Sequence, residues 1–205
     1  MNTANDLSAL FEKIKELASA TSGIITTKQI EEAGIYRGMT GHFVEEGLLV
    51  KEAKGIYSLA DEFPDEYLLL QIRSQKMIFS YGTALYLWEM SDRVPHVLDV
   101  SVPQGFNGSR ILKDNNKLKI HYVQKEKWNI GIAETKTSLG NKVKLYDKER
   151  CICDFIMSKK EIDKQLYIQA VKDYFNGYHD TRKILKYAKE FHIEDKVRDY
   201  MEVLT

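Results

Sequence analysis

The chain has 205 residues, 43% hydrophobic and 29% charged, and its 30 basic side chains balance 30 acidic ones. That composition supports a packed core and excludes disorder, and no apolar run approaches the roughly twenty residues that cross a bilayer. With only Cys151 and Cys153, and an N-terminus lacking the basic-then-apolar order of a secretion signal, a reducing cytoplasm is expected and a membrane is not.

Leu7, Phe11, Ile14, Leu17 and Ala18 fall on one face of a first amphipathic helix. Thr26 and Gln29 have capping-box spacing, with Ile25 and Ile30 placed as a hydrophobic staple, so a second, short helix starts there. Gly34 closes it in a sharp turn. Arg37 to Glu46 predicts a third helix, with Met39, Phe43 and Thr40 or Val44 toward the core and Gly47 at its end. Leu48 to Glu52 and Ile56 to Leu59, separated by Ala53-Lys54-Gly55, read as two strands of a hairpin. Helix, short helix, glycine turn, helix and hairpin is the order of a winged helix-turn-helix, whose third helix enters the major groove; we assign it to residues 1–62.

An acidic, proline-interrupted stretch at residues 60–65 predicts a domain boundary. The second domain, residues 65–205, begins with helical segments through Tyr67 to Ile72 and from Ser80, as cap, to Met90. Strands follow at Val97–Val102, ending at Pro103, at Leu118–Val123 and at Val143–Tyr146, and three or four helices run from Asp147 to the end. The predicted class is α+β throughout.

The balanced charge conceals an uneven distribution. Residues 59–109 carry a net charge of −4, and residues 110–150 a net of +6. Tyr36, Arg37 and His42 are expected on the groove-facing side of the third helix, where long donors reach base edges and phosphates, and Gly38 and Gly41 would allow close approach. Lys28, Lys51 and Lys54 are natural phosphate contacts, and Thr27 and Thr40 complete the predicted set. Because the first sixty residues are slightly acidic, phosphate affinity needs a second basic surface, for which Arg110, Lys113, Lys117 and Lys119 are the candidates, or two molecules side by side. The alternatives are a protein-binding winged helix and, for the basic segment, ordinary solvated lysines.

Catalytic patterns are weak. Cys151-Ile152-Cys153 lacks metal-ligand spacing and reads as free core thiols, of which helical geometry lets at most one face the core. His42, His96, His121, His179 and His192 are scattered without an acid, base or nucleophile constellation. Asp147-Lys148-Glu149-Arg150 with Asp154 reads as a solvated helix start. Neither a cofactor nor a metal is expected.

The wing together with Ala33-Gly34-Ile35, Gly82-Thr83-Ala84-Leu85-Tyr86-Leu87, Ser91-Asp92-Arg93-Val94-Pro95 and Tyr146-Asp147-Lys148-Glu149-Arg150 through Cys153-Asp154 resembles the AbiEi family of antitoxins, over nearly the whole chain. The resemblance implies a repressor that binds inverted repeats in double-stranded DNA upstream of its own operon. It also implies an antitoxin, residing in the second domain, that counteracts a nucleotidyltransferase-like toxin of a type IV abortive-infection pair without a stable complex. A monomer in solution that binds DNA cooperatively is the expected state. The rival is a protein-interaction module that binds the toxin or another partner directly.

Overall fold

The apolar periodicity of the first twenty residues forms helix α1 (Thr3–Ser19) in the computed structural model, which describes residues 3–177 and 179–204. The chain groups into two units, one holding the chain up to Ser74 together with Lys136–Lys142, the other holding Gln75–Thr135 and the chain from Val143 on.

In the first unit α1 leads to strand β1 (Ile24–Thr26), three residues long and absent from the predicted elements, and then to α2 (Thr27–Glu32). The capping box forms as its spacing requires. Thr26 Oγ1 accepts from the Gln29 amide at 3.3 Å, and Gln29 Oε1 accepts from the Thr26 amide at 2.9 Å, so two otherwise unpaired donors of the first turn are satisfied. Gly34 takes φ +78°, a conformation that side chains with a Cβ rarely adopt, and lets the Ile35 amide reach the Ile30 carbonyl at 3.1 Å. Helix α3 (Met39–Glu45) is shorter than predicted because Arg37 and Gly38 remain in the turn before it. Strands β2 (Leu49–Ala53) and β3 (Ile56–Leu59) form the wing, with a bulge between Lys51 and Ala53, and β3 pairs antiparallel with both β1 and β2. One core joins these elements, made of Ile14, Ala18, Ile25, Ile30, Ile35, Phe43, Leu49 and Leu59.

This unit continues past the linker expected at residues 60–65. Asp65, only 3% exposed, caps α4 (Glu66–Arg73) by accepting from the amides of Tyr67 at 3.0 Å and Leu68 at 3.3 Å. Its other oxygen accepts from Thr137 Oγ1 and, at 2.8 Å, from Asn141 Nδ2, which also donates to Ser22 Oγ. A carboxylate with four donors is a fixed point of the fold rather than part of a loose connection.

The second unit is built on a five-stranded sheet of order β6-β5-β4-β8-β7, from β4 (Ile78–Phe79), β5 (Leu98–Pro103), β6 (Leu118–Val123), β7 (Ile132–Lys136) and β8 (Lys142–Tyr146). Strand β4 runs antiparallel to β5 and parallel to β8, while β5 and β6 run parallel. Helix α5 (Tyr81–Leu87) follows β4, α6 (Ser109–Asp114) and α7 (Lys125–Trp128) flank β6, and α8 (Lys148–Met157), α9 (Lys164–Asn176), α10 (Thr181–Glu190) and α11 (Glu194–Leu204) complete the chain. Ser80 does not cap α5 with its side chain; its hydroxyl instead accepts from Ser101 Oγ at 2.9 Å.

Helix α8 corrects two expectations. Every residue from Glu149 to Ile156 is buried, because α5, α9, α10 and α11 pack around it and leave it no solvent face. Of the Asp147–Arg150 stretch, Asp147, Glu149 and Arg150 therefore form a buried polar network and only Lys148 is exposed, while Cys151 and Cys153 are both in the core. Arg150, 1% exposed, donates from Nε to Asp154 at 2.9 Å and from Nη1 to the carbonyls of Lys127 and Ile130 at 2.8 Å each. Its guanidinium carbon lies 4.1 Å from the Tyr146 ring centroid and 4.3 Å from that of Phe191. Asp147 caps the helix by accepting from the Arg150 amide, and its second oxygen takes Lys183 Nζ at 3.0 Å and the Tyr187 hydroxyl at 2.9 Å. Burial pushes the Asp154 carboxyl up to about 6, against the pull of Arg150.

Removing the guanidinium strands Asp154 and two backbone carbonyls in the core, so Arg150→Ala should cost about 3–5 kcal/mol. Urea unfolding would measure it, and an unchanged midpoint would refute the hub. Burial also pushes the Cys153 thiol up to about 12 and that of Cys151 well above its ordinary value. Both cysteines should then resist iodoacetamide at pH 8 in the folded protein and react after unfolding in urea; stoichiometric labelling of the native chain would show that α8 opens.

Candidate nucleic-acid interface

The turn between α2 and α3 owes its shape to Gly34, and what it presents to solvent is Tyr36, 75% exposed, and Arg37, whose side chain is 70% exposed. An added Cβ on Gly38 would come 2.3 Å from the Tyr36 ring, so this glycine makes room for the ring to fold back over the backbone. Arg37, Gly41 and Glu45 follow at helical spacing, and nothing lies within 4 Å of the Cβ that Gly41 lacks. That side of α3 is an open surface.

Thr40 is the exception among the predicted contacts. It is buried, and its hydroxyl bonds the Arg37 carbonyl at 2.8 Å and the Tyr57 hydroxyl at 3.2 Å. Thr40 thus buttresses α3 against the wing strand β3 and does not reach outward. His42 is half-buried, with its ring 6.0 Å from that of Phe43. Thr27, also half-buried, donates its amide to the Gly55 carbonyl at 2.9 Å, which fixes the start of α2 to the tip of the wing. Lys28, Lys51 and Lys54 are exposed.

The cations on this surface are loosely held. Lys28 lies 3.6 Å from Glu32 and Arg37 3.9 Å from Glu31, all of them exposed side chains. Such pairs contribute a few tenths of a kcal/mol, roughly, and can exchange a carboxylate for a phosphate at small cost.

In the second unit, Arg110 and Lys113 lie on α6, Lys117 precedes β6 and Lys119 lies on it, all exposed. They do not share one face. Ile120 meets Gly108 at the start of α6, whereas Lys119, its neighbour along the strand, leaves from the opposite face, beside Asp99 in the parallel register. Of the other cations between residues 110 and 150, Arg150 is buried and Lys136 and Lys142 group with the first unit.

The same register assembles something the sequence spacing concealed. Asp99 and His121, 22 residues apart, come together with Asp99 Oδ1 2.7 Å from His121 Nε2, and Tyr81 stacks on the imidazole at a centroid distance of 4.1 Å. Tyr81 takes φ +47° and its hydroxyl lies 3.1 Å from Ser158 Oγ. These residues line a 150 Å³ cleft together with Lys119 and Glu161. A carboxylate at this distance orients the imidazole ring, so His121 is less isolated than its sequence position suggested. Among the described residues, no group of three or more His, Cys, Asp or Glu side chains is arranged to hold a metal ion, and no helix is long and apolar enough to cross a membrane.

Comparison with known proteins bears on both units. The crystal structure of the RV2827C protein from Mycobacterium tuberculosis superposes with a TM-score of 0.63 over 86% of this chain and 69% of that one, at 14% identity, which supports the α+β fold and no more. A search of curated proteins found no match. A family model does match the first unit, from the middle of α1 to the end of the wing. Over residues 12–60 the chain matches the family described as "Transcriptional regulator, AbiEi antitoxin".

Proposed function

We propose that the chain is a DNA-binding autorepressor and antitoxin of a type IV abortive-infection pair. It binds inverted repeats upstream of its own operon and counteracts a nucleotidyltransferase-like toxin without forming a stable complex with it. The observation that carries this reading is that the matched span, residues 12–60, runs from the middle of α1 through the glycine turn to the end of the wing, with Tyr36 and Arg37 held outward at its turn. Tyr36 and Arg37 read or position the operator, half-buried His42 and Thr27 add to the contacts from α3 and the start of α2, and Lys28, Lys51 and Lys54 take phosphates. Thr40 acts through Tyr57 and Arg37 by holding α3 to the wing.

Since residues 1–60 carry six lysines and arginines against eight carboxylates, much of the phosphate affinity comes from outside them. Arg110, Lys113, Lys117 and Lys119 supply it, with Lys119 leaving β6 on the face opposite Ile120 and the start of α6. A monomer in solution that occupies the two half-sites cooperatively fits this charge distribution.

In a mobility-shift series on the upstream repeats, Arg37→Ala should weaken operator binding about tenfold or more, in keeping with the roughly 1–3 kcal/mol that a good side-chain-to-base pairing supplies. Equal affinity of the full chain for operator and random DNA at physiological salt would overturn the reading. The double variant Lys113→Glu, Lys117→Glu should lower the salt slope by about two, one for each phosphate no longer neutralised; an unchanged slope removes that segment from the interface. Co-expression with the product of the adjacent gene should restore growth although the two proteins do not co-purify, and co-purification would favour direct toxin binding.

A further inference from the structure

Helices α9 and α11 bury the inner part of a shared apolar stripe, with Tyr167 and Val171 of α9 and Val197 of α11 all buried. The stripe continues outward beyond what they cover. Ile168 is 42% exposed and Val203 80%, and with Val171 and Leu204 they line an open trough of about 660 Å³. Single exposed aliphatic residues are ordinary, but several lining one concave surface mark a place where something docks.

The charged residues that line the trough are all lysines, with Glu161 and Asp199 in the adjoining pocket. Lys159 and Lys160 at one end and Lys164 and Lys172 along α9 are among its lining residues, and no carboxylate is. Lys159 is already engaged, donating to the Tyr200 hydroxyl at 3.2 Å and lying over the rings of Tyr167 and Tyr200, while the two tyrosine hydroxyls meet at 2.7 Å. This arrangement makes a fixed end wall. Lys160, Lys164 and Lys172 are exposed beside the aliphatic floor.

We infer that the α9–α11 trough is a docking site for an acidic amphipathic helix of a partner protein, which lays an aliphatic stripe on Ile168, Val171 and Val203 and sets carboxylates against Lys160, Lys164 and Lys172. An elongated amphipathic helix presents aliphatic anchors at i, i+3, i+4 and i+7 to such a floor, and the lysines among its lining select the sign of its flanks. A nucleic acid would place phosphates on the same lysines but has nothing to cover Val203 and Ile168. The site shares no residue with the helix-turn-helix, so its failure and that of operator binding are read separately.

Fluorescence anisotropy of the full-length chain can test this with two labelled helical peptides that share a leucine face and carry either glutamates or lysines on the other. The glutamate peptide should bind at least about tenfold more tightly than the lysine peptide, with the preference shrinking at high salt. Val203→Glu should abolish binding, and Lys160→Glu with Lys164→Glu and Lys172→Glu should invert the preference; all four positions are exposed, and an unchanged urea-unfolding midpoint for each variant reports an intact fold. Equal binding of the two peptides, or binding indifferent to both variants, would overturn the proposal. Self-association in sedimentation velocity that Val203→Glu removes would also overturn it in favour of a second copy of this chain, and tighter binding to phosphatidylserine vesicles than to the glutamate peptide would overturn it in favour of a lipid surface.

Discussion

One buried guanidinium organises the second unit. Arg150 projects from α8 into a space bounded by the backbone after α7, the end of β8 and the residue that closes α10, and it offers each of them something different. The two carbonyls and Asp154 take its donors in the plane of the fork, while Tyr146 and Phe191 sandwich its faces. A lysine could satisfy one of these demands but not all, since only the planar fork combines directed donors with two stacking surfaces. The cost of burying the charge is met by hydrogen bonds on every side rather than by a single ion pair. That is why α8 can be enclosed by four helices although its first half is charged.

That enclosure also explains where sequence reasoning failed. A run such as Asp147-Lys148-Glu149-Arg150 has the composition of a wet helix start, and its acids do sit at a helix N-terminus, but hydrophobic periodicity carries no information about a helix packed all round. Cys151 and Cys153 point in different directions from the helix axis, and both directions happen to be core. The short strands were hidden for another reason. Strand β1 has three residues and β4 only two, too few for any alternation to register. The Asp99–His121 pair depended on the parallel register of β5 and β6, which no local pattern encodes.

The helix-turn-helix was more legible because its signals are local. A capping box needs only Thr26 and Gln29 three apart, and a left-handed closure needs only a glycine in the right place, so Gly34 at φ +78° and Gly47 at φ +71° could be anticipated from the chain alone. What the local pattern left open was whether Thr40 turns to the core, as one of two alternatives with Val44, or outward as a contact residue. Thr40 has a hydroxyl suited to either environment, and the tertiary position of Tyr57 decided the matter. The surface left to solvent around α2, the turn and the wing is lean: one aromatic, one arginine and one lysine each loosely paired with a glutamate, a half-buried histidine and two further lysines.

The bonds of Asp65 have a consequence for the order in which the chain can fold during synthesis. The core of the first unit draws on residues between Ile14 and Leu59 and can assemble as soon as they leave the ribosome. Asp65 then caps α4, but the partners of its other oxygen, Thr137 and Asn141, lie 72 and 76 residues further along. Until the turn between β7 and β8 is made, that oxygen faces water, and the first unit waits in an unfinished state. A nascent chain stalled before residue 137 would therefore hold a formed helix-turn-helix on an incomplete base, which couples completion of the first unit to translation of nearly half of the second.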